Sequence, residues 1–240
     1  VIHEMTTANR LMIADFLDGL DDRQWAAPTL CQGWTVHHLA AHLVQPMLVG
    51  FGRFFVTSLR YRGDTARTVD HITRRLARRS RTELTGLLRS HAGDRVDPPR
   101  VGPMGPFADT CLHLRDIARP LGLAADVPPD HWRLLLDHLV SPAVAPDLVP
   151  PGRLDGLTLT ATDLGWSSGP AASGPAGGRV PTGSGQAPVG TGPGEALAAT
   201  GPGRPLAVIG PGEALAMAVT GRRAALADLR GPGVARLSAS

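Results

Sequence analysis

The sequence predicts an α+β chain that is mainly α: an antiparallel helical bundle over residues 1–145, then a small α+β unit over residues 150–240. Two observations carry this. Apolar residues recur at helical spacing through most of the first 140 positions. After Pro142 the pattern changes to a strand-like alternation and then to a stretch rich in Gly and Pro. A chain of 240 residues with 42% hydrophobic content can bury a core of that size.

The first predicted helix covers residues 6–20, where Leu11, Met12, Ile13, Phe16, Leu17 and Leu20 sit near helical spacing. A turn or short helix and then a loop follow across residues 21–33. The second helix has the strongest pattern. Thr35 can cap it, and Val36, Leu39, Ala40, Leu43, Val44, Met47 and Leu48 form one apolar stripe. It is expected to run on toward Ser58, with Pro46 as the one threat of a kink. A third helix is predicted over residues 65–91, and a fourth over residues 106–121, closed by Gly122. A fifth spans residues 129–140, with Trp132, Leu135, Leu136 and Leu139 facing inward.

Residues 154–166 alternate apolar and polar side chains and read as a strand. The segment of about 167–210 is dominated by Gly and Pro. It holds too little apolar surface to offset its ordering entropy and reads as an insertion. One duplication stands out: Gly192-Pro-Gly-Glu-Ala-Leu-Ala198 recurs as Gly210-Pro-Gly-Glu-Ala-Leu-Ala216. The second copy leads into a helix over residues 213–219, and a further helix ends near Leu229.

Composition narrows the function classes. All 24 basic residues are Arg, and the net charge is only +3. Arginines gather between Arg53 and Arg100, but few aromatics accompany them to stack bases. The segment therefore reads as a solvated face, with no nucleic-acid partner. No apolar run is long enough to span a bilayer, and the first residues lack the pattern of a secretory signal. A cytoplasmic chain without a membrane partner is expected. In that setting Cys31 and Cys111 stay reduced, and packing is the expected role of both, with a reactive thiol as the alternative for Cys31.

The residues that carry chemistry lie on two of the predicted helices. Asp109 and His113 are four apart, one turn along one face, where a carboxylate and an imidazole can chelate one divalent ion. His42 lies at the edge of the second helix's apolar stripe, where a side chain aims into a bundle. His38 falls on the polar side and His37 near the opposite edge. Sites in bundles draw ligands from facing helices. His42, Asp109 and His113 would give two imidazoles and one carboxylate, and three protein ligands leave positions open for water or substrate. That set suits zinc and also iron(II). Asp116 can orient a ligand imidazole or pair with Arg115 or Arg119.

The stretch Trp25-Ala-Ala-Pro-Thr-Leu-Cys-Gln-Gly-Trp-Thr-Val-His-His-Leu-Ala-Ala-His-Leu43 resembles the hallmark of the mycothiol-dependent maleylpyruvate isomerase-like family. Asp109-Thr-Cys-Leu-His-Leu-Arg-Asp116, residues 154–166 and the terminal stretch through Thr220-Gly-Arg222 resemble its further motifs. The resemblance implies a DinB-like four-helix bundle with a small C-terminal domain. It also implies a divalent metal, zinc first with iron or nickel as alternatives, held by His42, Asp109 and His113. The isomerase itself has Glu where this chain has Asp109, one methylene shorter. It implies a low-molecular-weight thiol such as mycothiol as cosubstrate, bound as a thiolate that adds to an electrophilic small molecule. Arg222 matches the family position that offers a cation to an anionic substrate, a role that suits a bidentate guanidinium. The expected activity is S-transfer or thiol-assisted isomerisation. The alternative is a non-catalytic metal-binding bundle acting as a regulator or hydrophobic-ligand carrier. A monomer and a homodimer are both compatible with the sequence.

Overall fold

The computed structural model describes residues 1–169 and 205–238. Helices dominate: α1 (Ile2–Asp18), α2 (Asp22–Ala26), α3 (Val36–Leu48), α4 (Phe51–Arg60), α5 (Thr65–Leu76), α6 (Arg81–Ser90), α7 (Met104–Ala118) and α8 (Pro129–Leu139). Then come β1 (Leu157–Ala161), β2 (Trp166–Ser167), β3 (Leu206–Gly210), α9 (Gly212–Val219), a 3₁₀ turn (Arg223–Asp228) and α10 (Val234–Ser238). The first copy of the duplicated heptapeptide lies outside the described residues.

The helical half is built around α1, α3 and α7. Helix α1 packs on α6 and α7, and α3 packs on α5, α6 and α7. The reason is visible in the stripes: Val36, Leu39, Ala40, Leu43 and Val44 of α3 are all buried, as are Phe107, Cys111, Leu114 and Ala118 of α7. Buried aliphatic area of this kind contributes about 25 cal/mol per Å². The core continues without a break into the C-terminal residues, through Leu135 and Leu136 of α8 to Leu215, Met217 and Val219 of α9.

Several boundaries differ from the sequence reading. The helix expected over residues 6–20 starts at Ile2, and the one expected over residues 106–121 and closed by Gly122 ends at Ala118, just before Pro120. The helix expected over residues 65–91 is two helices. Ala77–Arg79 turn the chain, and Ser80 starts α6 with a capping box in which its hydroxyl accepts from Glu83 N and the Glu83 carboxylate accepts from Ser80 N. The helix expected to continue past Phe51 stops at Leu48. Gly50 breaks it, whereas Pro46 is accommodated inside α3. The Gly/Pro-rich insertion, expected to reach about residue 210, ends earlier, because Leu206–Gly210 forms β3.

The sheet order is β2-β1-β3. Strand β3 runs parallel to β1, with Leu157 opposite Leu206 and Ala161 opposite Gly210. Strand β2 runs antiparallel, with Ala161 opposite Trp166. The predicted strand 154–166 is thus β1 plus a turn into β2. Helix α9 follows β3 after one residue, Pro211, and packs on the sheet and on α8. Its register is fixed by ions. The buried Glu213 carboxylate accepts from Arg115 Nε at 3.0 Å and from Arg119 at 2.6 Å, and Arg119 also donates to Asp228 at 2.7 Å. The C-terminal end of α9 is held by Arg153, whose guanidinium donates to the carbonyls of Val219 and Ala218. This fastening sets the place of the loop after α9, which carries Arg222.

Candidate metal centre

Helix α3 is started by Thr35, whose hydroxyl lies 2.9 Å from His38 Nδ1, while Thr35 N donates to the same nitrogen at 3.3 Å. His38 therefore serves the helix start. His37 Nε2 lies 3.0 Å from the carbonyls of both Ala77 and Arg79 and ties down the end of α5. Of the three histidines on α3, only His42 turns to α7. It packs at 5.1 Å from the Trp34 ring and 4.9 Å from the His113 ring.

Asp109 and His113 meet it from α7. His42 Nε2 is 4.0 Å from Asp109 Oδ2, and His113 Nε2 is 3.8 Å from Asp109 Oδ1. One donor atom from each of the three residues lies within 4.8 Å of the others. A divalent ion with bonds of about 2.1 Å spaces its ligands about 3.0–3.5 Å apart. Small side-chain rotations close the remaining gap, so the donor set fits a cation. His42 and His113 are nearly enclosed, and the Asp109 carboxylate is 40% exposed. The cluster is thus closed on the imidazole side and open beside the carboxylate. A cavity of about 230 Å³ reaches Asp109 there, walled by Pro46, Val101, Pro106, His138 and Leu148.

The second ring nitrogen distinguishes the two imidazoles. His113 Nδ1 is 2.9 Å from Asp116 Oδ2, the carboxylate backing usual for a metal-binding histidine. His42 Nδ1 is buried without a hydrogen-bond partner, so that ring is held by packing. Burial first, and then the charge of His113, pushes His42 down to about 4, leaving a neutral ring with a free lone pair.

Asp116 is fully buried and heavily served. Arg222 donates to it through Nε at 3.2 Å and Nη2 at 3.0 Å, and Cys31 Sγ lies 3.3 Å from Oδ2. Burial alone would raise this carboxyl. The His113 hydrogen bond and the Arg222 charge outweigh it and hold Asp116 well below the usual carboxylate range. The pairings with Arg115 and Arg119 considered from the sequence do not form, since both arginines are turned to Glu213.

Cys31, for which the sequence favours packing over a reactive thiol, takes part in the site. Its loop is pinned to α7 by Leu30 N donating to the Asp116 carbonyl at 3.1 Å. A positive φ at Gly33 and the Pro28–Thr35 bridge close the turn. Sγ then stands 3.7 Å from His113 Nδ1 and lines an open cavity of about 450 Å³ with Leu30, Thr220, Arg222 and Arg223. Cys31, His113 and Asp116 are also close enough to share a cation. Arg222 already places a positive charge on that carboxylate, so His42, Asp109 and His113 form the better seat. Cys111 matches the expectation: it is fully buried and accepts from Asn9 Nδ2 at 3.6 Å.

Comparison with known proteins gives one match. A family model described as the mycothiol maleylpyruvate isomerase N-terminal domain aligns with residues 8–164. No curated protein and no solved structure matches the chain. The aligned span holds Cys31, His42, Asp109, His113 and Asp116, whereas Arg222 lies beyond it. With well over half of its length matched, the chain belongs to the family defined by the mycothiol maleylpyruvate isomerase N-terminal domain.

Proposed function

We propose that the chain is a metal-dependent enzyme that uses a low-molecular-weight thiol of the mycothiol type, for S-transfer to, or isomerisation of, an electrophilic small molecule. The observation that carries this reading is the convergence of His42 Nε2, His113 Nε2 and the Asp109 carboxylate from two helices, with Asp109 left open to a cavity. In this reading α1, α3, the α5–α6 pair and α7 are the four rods of a DinB-like bundle. Residues 1–145 form the metal-binding unit, and residues 150–240 supply Arg222.

A bound divalent cation, zinc in the first instance, would lower the pKa of a coordinated thiol and hold it as the thiolate at neutral pH. The chain's own residues prepare for that. Burial keeps His42 neutral. Asp116 fixes which nitrogen of His113 faces Asp109, and Arg222 keeps Asp116 ionised. The Trp34 ring packs against His42, and the wall around Asp109 is mainly apolar, with His138 and Asp147 as its polar side chains.

Arg222 acts here as a positioning residue. Both of its hydrogen bonds to Asp116 would have to break before it could clamp a substrate carboxylate. The same observation favours a second reading, a non-catalytic metal-binding bundle acting as a regulator or ligand carrier.

Elemental analysis of the purified chain, followed by thiol titration of the cobalt-substituted form, tests the proposal. The enzyme reading expects one equivalent of metal, lost in His42→Ala, and a thiol-dependent change in the cobalt spectrum. Metal without a thiol response supports the second reading. Stoichiometric metal retained in His42→Ala overturns the assignment of the site.

A further inference from the structure

Helix α4 buries none of its residues. Phe51, Phe55, Val56 and Leu59 are 61%, 52%, 67% and 61% exposed, the largest group of exposed apolar side chains among the described residues. Phe51 and Phe55 stack at 6.3 Å, so the apolar stripe is preformed. At about 100° per residue, Arg53 and Arg60 fall on the flank of that stripe. The sequence from Val36 to Gly63 holds no acidic residue.

Behind this flank lies a cleft of about 280 Å³, walled by Arg53, Thr57, His71, Arg75, Arg78 and Arg79. Among the described residues, Arg53, Arg60, Arg62, Arg75 and Arg78 form no salt bridge, whereas Arg67, Arg74, Arg81 and Arg89 nearby each have a carboxylate. Cations left without partners beside an unpartnered apolar stripe match an anionic amphiphile. They match a second copy of this chain poorly. A two-fold contact through α4 would set the stripe against itself but bring the same arginines face to face.

We propose that α4 and its arginine flank form a docking face for an anionic phospholipid surface. Phe51, Phe55, Val56 and Leu59 enter the headgroup boundary, and the arginines meet lipid phosphates. Helices that lie in a membrane interface combine such a stripe with such a rim. This departs from the expectation of no membrane partner. It concerns a peripheral contact, because no helix among the described residues is long and apolar enough to cross a membrane.

Sedimentation of the full chain with lipid vesicles tests it. The probes are vesicles of phosphatidylcholine alone and of phosphatidylcholine with about 30% phosphatidylglycerol, enough to set a negative surface potential. Binding is expected to the anionic vesicles alone, and to weaken as salt is raised and charges are screened. Phe55→Ser/Leu59→Ser and Arg53→Glu/Arg60→Glu should each weaken it by about tenfold. All four positions are on the exposed helix, and circular dichroism verifies folding of each variant. No binding to anionic vesicles, or equal binding to both vesicle types, overturns the proposal. So does concentration-dependent dimerisation abolished by Phe55→Ser/Leu59→Ser, or preferential binding to polyglutamate, which would assign the face to protein contacts.

Discussion

Asp116 concentrates more of the site's physics than any other side chain. It is a buried carboxylate that orients one imidazole, neutralises one guanidinium and accepts from one thiol. Asp116→Asn keeps the shape and removes the charge. Arg222 would then be left in a buried place without its counter-ion, a loss of about 3–5 kcal/mol, and metal affinity should fall about 10–100-fold as His113 loses its backing. Urea denaturation and a competitive metal titration measure the two effects separately. A second expectation concerns protons. Burial alone would lower His113, but Cys31 and Asp116 outweigh it and raise the metal-free ring to about 10. A cation must displace that proton to reach Nε2. Metal affinity should therefore weaken as pH falls below that value, by about tenfold per pH unit for one proton, with proton release visible by calorimetry in buffers of different ionisation enthalpy. Much of this was legible in the sequence. His42 lay at the edge of an apolar stripe, and Asp109 and His113 were one turn apart, so the helical period gave their directions. Cys31 was not legible, because it stands in a loop where no period says which way a side chain points. Nor was the partner of Arg222, which depends on how α9 is fastened to α7.

The elements show why some boundaries could be read and others not. Thr35 and the α9 start were marked by residues with one conformational role, whereas α7 ends at Ala118, three residues before the expected end at residue 121. The break between α5 and α6 also had its mark, Ser80-Arg81-Thr82-Glu83, but the apolar residues on either side continue a plausible single stripe and mask it. That cap is a real contribution: Ser80→Ala should cost about 1 kcal/mol, seen as a lower urea midpoint with an unchanged slope. A larger effect is expected where the turn before α10 meets β3. Gly231 has φ +108°, and a Cβ there would lie 2.4 Å from the Ala207 carbonyl oxygen. Gly231→Ala should destabilise by about 1–3 kcal/mol, and because β3 carries α9 behind it, thermal melts should broaden as well as shift.

At the scale of the whole molecule, the sequence separated a helical part from a sheet-bearing part, and the structure joins them through a shared core and through ion pairs centred on Glu213 and on Asp116. Glu213 sits between Arg115 and Arg119, with side-chain exposures of 11%, 13% and 18%. This is unlike the exposed pair Arg74–Asp70, which solvent and salt screen. Glu213→Gln would remove the carboxylate that the two guanidinium groups share, leaving Arg119 with Asp228 and Arg115 near Asp126, and should cost about 3 kcal/mol. The informative outcome is its coupling to the site. Arg222 follows α9 directly, so a loosened α9 withdraws the guanidinium that holds Asp116, and metal affinity should drop even though Glu213 touches no ligand. Once Asp116→Asn has already cut that link, Glu213→Gln should have little further effect on metal affinity, while its cost in stability persists. The double-mutant cycle should therefore show a coupling of about 1 kcal/mol or more in metal binding. Strict additivity there would mean that the C-terminal part merely sits beside the centre, and that the aligned helical segment by itself holds everything the metal needs.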